Sequence, residues 1–549
     1  MTGATAAETI RGGDAVVRAL KANGIDVVFG IPGVHTLDIY DALIEDPELT
    51  HILARHEQGA GYMADGYARA TGKPGTALIV TGPGLTNIST AVGQAYADSA
   101  PVFVIATNQE RRHLDMMVGN LHELTDQLGF MKPITKWSRR AMEAADLPEL
   151  VAEALEALSS GRPRPVHLEI PLDLLAEPVD EPEIRLASHT SQTPDPASIN
   201  DAAELIKNSG RVMIFAGGGG STNEASPLVA RLAEELGAPV ITSVTGKGTI
   251  PYDHPYCAGA FGYRWSNDNP TASLMKASDL VIAVGTGLGV RTTGEGSMPL
   301  PSRLIHIDID PAEHEVGRYE RTVSIVADAA ASLEALLEKV QSGAKPKGRW
   351  SEEEVRSVRE KLLAPADERA ARFVPYVQAL RDGMDRDAIL VNDMTMLAYE
   401  AVRYFPTYAP RSYFFPRGFG TLGSAMPTAL GAKVGCPDRQ VVSIAGDGGF
   451  QFTLEELGAA VHHQIPVQIV IFNDGTHSAV KAAQHRTYPG RFIAVDLVNP
   501  DYIKIADAYG MKSHRADSPE SLASKLKETR DLNEPILIDV PVDFERYEQ

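Results

Sequence analysis

Two short apolar runs of this chain each end in an acidic residue, and that pairing constrains the fold more than any other feature. Gln440-Val441-Val442-Ser443-Ile444-Ala445 runs into Gly446-Asp447-Gly448, and Val467 to Phe472 runs into Asn473-Asp474-Gly475-Thr476. Each run is short, apolar and rich in β-branched residues, as buried strands are. Between them, Leu454 to His463 has the spacing of an amphipathic helix. Two parallel strands bring the acidic tips side by side at the carboxyl end of a sheet, where α/β proteins bind ligands. Glycines beside Asp447 let a phosphate approach the backbone. Two carboxylates next to such backbone suit Mg²⁺ clamped to a diphosphate, because Mg²⁺ takes a few carboxylates plus phosphate oxygens. Gly-Asp-Gly alone is equally an ordinary turn with a solvated Asp, so the second tip carries the weight.

The alternation of apolar runs and helical spacings recurs in three blocks. In the first, residues 10–178, Gly12 to Asn23 reads as a helix, and Asp26 to Gly30, Thr76 to Val80 and Val102 to Ile105 as strands. A polar, Pro-rich link follows from Glu177 to Ala197. The second block, 198–340, has strand-like runs at Val212 to Phe215, Pro239 to Thr242, Leu280 to Val284 and Leu304 to Ile309. A second link, Ser342 to Gly348, leads to the third block, 368–549, which carries the acidic tips. Three βα blocks predict an α/β protein of three doubly wound parallel sheets. At 549 residues one core is too few and about three domains are expected.

A formal net charge of −21 argues against nucleic acid and anionic membrane as partners. No apolar run reaches 18 residues, and Met1 to Glu8 has no basic segment before an apolar core. Neither a membrane span nor a signal peptide is expected. Cys257 and Cys436 give no disulfide framework and no zinc spacing, as expected for a reducing cytoplasm.

A second segment, Arg55-His56-Glu57-Gln58-Gly59-Ala60, follows a strand near His51 to Ala54 and opens a helix that continues through Gly66-Tyr67-Ala68-Arg69-Ala70-Thr71-Gly72. Ala60, Ala64 and Ala68 form a stripe where another backbone can pack closely. A glutamate at a helix N-terminus ordinarily complements the dipole and nothing more. Taken with the two tips, however, the segment resembles the thiamine diphosphate (ThDP) enzymes of the acetolactate synthase and 2-oxo acid decarboxylase superfamily, over essentially the whole chain. The resemblance implies a pyrimidine-binding, a central Rossmann-like and a diphosphate-binding domain, in that order. It places the metal ligands at Asp447, Asp474 and the carbonyl of Thr476, with Asn473 the alternative to Asp474. It makes Glu57 the group that bonds N1′ of the aminopyrimidine and promotes its imino tautomer.

Further roles follow from the same resemblance. Gly418 to Gly423 matches the loop with an apolar wedge, Leu422, under the thiazolium, and a carbonyl, Gly420, for the 4′-amino group. Thr395 and Met396 fall at phosphate contacts, as do Gly446, Gly448 and Gly449. His477 and Ser478 offer backbone N–H groups at a helix start. Gly82 to Asn87 resembles the loop beside the pyrimidine. His35 and His122 are acid/base candidates, and Val34 and Val480 line the substrate pocket. For each of these, a plain turn or a surface histidine is the competing reading.

In the second block, Gly217 to Gly220 and Gly285 to Gly289 look dinucleotide-like, but neither is a clean G-x-G-x-x-G and no acidic residue ends Pro239 to Thr242. A nicotinamide dehydrogenase is therefore a weak alternative. Relatives hold FAD, ADP or nothing here, and no nucleotide is expected. A metal site at His306, Asp308 and Asp310 is equally weak.

Phe29 to His35, Gly93 to Ser99 and Leu121 to Leu124 are most similar to 5-guanidino-2-oxopentanoate (2-ketoarginine) decarboxylases. This implies non-oxidative, ThDP- and Mg²⁺-dependent decarboxylation of a 2-oxo acid through a carbanion stabilised on the thiazolium. Glu123 and Asp126 near His122 stand as partners for a guanidinium. Acetolactate synthase is the runner-up, although Thr476 to Val480 departs from its pattern. A 2-hydroxy ketone lyase and a non-catalytic ThDP-binding relative are the further alternatives. A homodimer or homotetramer with active sites shared between chains is expected.

Overall fold

The apolar runs form strands because parallel sheets buried on both faces need near-continuous hydrophobic segments. The computed structural model describes residues 9–180, 183–188, 191–315 and 319–543. It contains three six-stranded sheets, in each of which every pairing is parallel. The first has the strand order Thr50–Leu53, Val27–Gly30, Gly75–Ile79, Val102–Asn108, Val166–Pro171, Trp137–Arg140. The third repeats that topology as Tyr413–Phe414, Ile389–Asn392, Val441–Gly446, Gln468–Asn473, Ile536–Pro541, Lys512–Arg515. The middle sheet runs Cys257–Ala260, Val240–Thr242, Val212–Ala216, Leu280–Val284, Arg303–Asp308, Val323–Val326. Numbered along the chain that order is 3-2-1-4-5-6, the dinucleotide-fold arrangement. Thr9–Arg11 pairs antiparallel with Pro178–Asp180 and closes the first unit on itself.

The first and third units share one apolar core, joined where helix Glu57–Thr71 crosses helix Ala425–Gly435. The crossing depends on glycine. A Cβ at Gly66 would collide with the carbonyl of Thr428, and one at Gly431 with the carbonyl of Met63. The alanine stripe meets the first sheet. Ala64 is fully buried in the core and its carbonyl packs against Gly75 of the first sheet, so the close approach to another helix uses Gly66.

Two local differences bear on the site. Gly446 ends its strand, but Asp447 already begins a helical turn, Asp447–Phe450. The helix expected over 454–463 divides into a 3₁₀ turn, Leu454–Glu456, and a helix, Leu457–His462. Among the described residues no helix is long and apolar enough to cross a membrane.

Candidate active site

The first half of the site gathers around the loop after strand Gly75–Ile79. Glu57 is the first residue of its helix, and His56 caps it by accepting the Gln58 N–H (3.1 Å). The Asn87 amide donates to Glu57 Oε2 (2.9 Å). Gly82 has φ of 63°, a left-handed conformation that suits glycine, and a side chain there would strike the carbonyl of His122. Its N–H donates to Gln127 Oε1 (2.9 Å). His35 and His122 meet edge to face, ring centres 5.2 Å apart, with His35 Nδ1 hydrogen-bonded to Thr81 Oγ1 (2.9 Å). Burial, then the neighbouring His122, lowers the pKa of His35. Five residues expected from sequence, Glu57, Gly82, Asn87, His35 and His122, thus surround one loop.

The second half lies at the tips of strands Val441–Gly446 and Gln468–Asn473, which are adjacent and in register. Asp447 is 2% exposed; its carboxylate accepts from the Gly475 N–H (2.9 Å) and from the amide of Asn499. Asp474 accepts from the Thr476 N–H (3.2 Å) and from the hydroxyl of Ser478. Burial raises both pKa values, that of Asp474 to about 6, where the charge of Asp447 adds to the rise. Among the described residues neither carboxylate has an ion-pair partner. A buried and a half-buried carboxylate that repel one another and have no ion-pair partner fit a divalent ion. Among the described residues no three His, Cys, Asp or Glu side chains cluster tightly enough to hold a metal, so these two need further oxygens, which a diphosphate provides. Asn473 is engaged otherwise: its oxygen accepts from Asn499 (2.9 Å) and its nitrogen donates to Asp539 (3.3 Å).

Glycines beside the tips form a cradle that side chains would fill. A Cβ at Gly448 would lie 2.5 Å from the His477 ring, and one at Gly449 3.1 Å from Asp393. At Gly446 it would stand 3.3 Å from the Thr395 hydroxyl, which places the turn of Thr395 and Met396 against the Gly-Asp-Gly backbone. Gly420 has φ of 74°, and Leu422 beside it is half-buried. Phe419 of the same loop packs against Gly93 of the first unit, and the Gly418 N–H donates to Asp98 (2.8 Å).

Some expectations change. The His477 backbone N–H donates to the carbonyl of Val495 (2.8 Å), so it is not offered to a diphosphate; the His477 ring covers Gly448 instead. Ser478 meets the site through its hydroxyl on Asp474. Glu123 accepts the N–H groups of Val118 (2.9 Å) and Gly119 (2.8 Å), and Asp126 caps helix Gln127–Met131 through the Gly129 N–H (2.7 Å). Both acids thus hold local backbone, a structural role that needs no guanidinium.

Other residues of the site had no sequence signal. Asn499 bridges Asp447 and Asn473 from a loop 52 residues beyond Asp447. Glu456 reaches the first unit, where it accepts the N–H groups of Arg55 (3.1 Å) and His56 (2.9 Å), the two residues before Glu57. Asp393, two residues before Thr395, is a third.

In the middle sheet a cavity of about 740 Å³ opens where the strand order reverses, lined by Gly218, Gly285, Arg291, Asp308 and Arg411 among others. Asp308 ends strand Arg303–Asp308 at this cavity, while no acidic residue ends strand Val240–Thr242. His306 bonds the carbonyl of Thr286 (2.7 Å) and Arg321 (2.9 Å) and is committed to the core.

Three family models match: thiamine pyrophosphate enzyme N-terminal TPP binding domain over residues 10–130, central domain over 199–336 and C-terminal TPP binding domain over 393–540. The chain belongs to the thiamine pyrophosphate enzymes. Curated relatives agree with this family over most of their length. A protein of Pseudomonas aeruginosa named probable 2-ketoarginine decarboxylase AruI is 37% identical, over 95% of this chain and 92% of its own. A probable acetolactate synthase large subunit of Methanocaldococcus jannaschii is 36% identical over 97% and 92%. An acetolactate synthase of Mycobacterium bovis is 33% identical over 97% and 88%. As a thiamine pyrophosphate enzyme, the protein is a catalyst, and its first and third units are the cofactor-binding ones.

Proposed function

We propose that this thiamine diphosphate enzyme decarboxylates a 2-oxo acid with Mg²⁺ as second cofactor, and that 2-ketoarginine is the first substrate to test. The observation that carries the reading is a pair of half-sites, one in each cofactor-binding unit: a glutamate hydrogen-bonded by Asn87, and two carboxylates at adjacent strand tips with no ion-pair partner among the described residues. Asp447, Asp474 and the Thr476 carbonyl hold Mg²⁺. Gly446, Gly448 and Gly449 admit the diphosphate to bare backbone, and Leu422 supports the thiazolium. Thiamine diphosphate supplies, when bound, a carbon nucleophile and an electron sink. Glu57 holds and returns a proton at N1′ of the aminopyrimidine. His35, whose pKa is lowered, is neutral near pH 7 and takes or gives a proton at the substrate.

Similarity to AruI over 95% of the chain supports 2-ketoarginine, and similarity to acetolactate synthases of nearly equal identity supports pyruvate as the second reading. A homodimer with shared sites is part of the proposal. Apolar side chains remain exposed around both half-sites: Val34 (63%) and Leu121 (62%) beside the histidines, Val480 (52%) after the second tip, and Phe419 (57%) on the Leu422 loop.

A panel of 2-oxo acids assayed for CO₂, with products identified by mass spectrometry, tests the reading. The expected product from 2-ketoarginine is 4-guanidinobutanal. Acetolactate from pyruvate with no turnover of 2-ketoarginine would select the second reading. An inert panel would leave lyase chemistry on 2-hydroxy ketones.

A further inference from the structure

Asp393 stands one residue past strand Ile389–Asn392 with its side chain 1% exposed. One carboxylate oxygen accepts the Met394 N–H (2.7 Å) and the other the Gly423 N–H (2.8 Å). The N–H of Ala425, first residue of helix Ala425–Gly435, also donates to the carboxylate. Its own N–H is tied to Ile444 (2.9 Å), in the strand that leads to Asp447. Burial pushes its pKa up to about 6, opposed only by those backbone donors. Burying a carboxylate is unfavourable unless its oxygens are hydrogen-bonded, and here the donors come from two separate segments. One is the turn that leads into Thr395 and Met396; the other begins where the Leu422 loop enters its helix.

We propose that Asp393 is a positioning residue for the cofactor, whose carboxylate fixes the Leu422 loop against the turn of Thr395 and Met396. The wedge and the diphosphate contacts then keep one separation. This rests on Leu422 being the wedge and on that turn meeting the diphosphate.

Asp393→Asn keeps the side-chain shape and an acceptor for Met394, but leaves the amide one acceptor where the carboxylate had two. The loop is released while the diphosphate turn is retained. Calorimetric titration of the apoprotein with ThDP and with inorganic diphosphate, each with Mg²⁺, separates the two effects. ThDP affinity should fall on the order of 10–100-fold, the range for a hydrogen bond to a charged group, while diphosphate affinity stays within about threefold. Leu422→Ala should give the same split. Equal losses for both ligands, or ThDP affinity within about threefold of wild type, overturn the proposal. Wild-type protein that binds neither ligand overturns the cofactor reading and this one with it. If the variant does not fold, amide exchange in the wild-type apoprotein decides. The Gly423 and Ala425 N–H groups should be protected like those of strand Ile389–Asn392, and exchange at open-loop rates overturns the proposal.

Discussion

In the proposed chemistry Glu57 and Asp447 carry the decisive roles, and each has one decisive substitution. Glu57→Gln keeps an acceptor for Asn87, whose amide donates to Oε2, so the fold and cofactor binding should survive. Glutamine cannot exchange a proton at N1′. The cofactor C2 proton, followed by NMR after acid quench, should therefore exchange more slowly by on the order of 10²–10⁴-fold, the range for a positioned acid or base. Wild-type exchange in the variant would remove Glu57 from this role. Asp447→Ala removes one of two carboxylates at the strand tips and also frees Asn499 and the Gly475 N–H. ThDP affinity measured with and without Mg²⁺ should lose its metal dependence and most of its strength. Unchanged, metal-independent binding would contradict the assignment.

At the scale of elements, the helix that presents Glu57 is held from another domain. Glu456, on the turn Leu454–Glu456, accepts the two N–H groups that precede Glu57, and burial pushes its pKa up to about 7. The unfolded carboxyl group loses its proton near 4.5, while the native one keeps it to about 7. The native state therefore binds more protons in that window, and the contribution of Glu456 to stability is lost as pH rises through it. Glutamine has no such proton. Urea unfolding at pH 5 and pH 7.5 should find Glu456→Gln gaining on wild type with rising pH, by at most about 1.4 kcal/mol per pH unit. A variant that loses ground as pH rises would mean that the ionised carboxylate is net favourable at this helix N-terminus. The element was legible in sequence as a helical spacing over 454–463; its contact with residues 400 positions earlier was not.

For the whole molecule, the question is which chain completes each site. The helix crossing at Gly66 and Gly431 joins the first and third units within one chain, and the exposed side chains around both half-sites remain for a second chain to cover. Under subunit exchange, inactive Glu57→Gln mixed with inactive Asp447→Ala should recover activity, because a heterodimer contains one site free of both substitutions. No recovery despite demonstrated exchange, or a fully active monomer, would reject shared sites.

The strands, their tips and the three-sheet architecture were determined by the sequence itself, because hydrophobic periodicity is a local property of neighbouring residues. The motifs that carry Glu57 and Asp447 are local in the same way, marked by neighbouring glycines and apolar runs. Hydrogen-bond partners are not local. Only the tertiary structure could assign the His477 N–H to Val495, turn Glu123 and Asp126 into backbone caps, and bring Asn499, Asp393 and Glu456 to the site. Strand order is likewise invisible in one dimension, so the meeting of Gly218, Gly285 and Asp308 at one cavity could not be read from the chain. A buried polar group must be satisfied by whatever the packing brings near it, and packing is set by the whole chain.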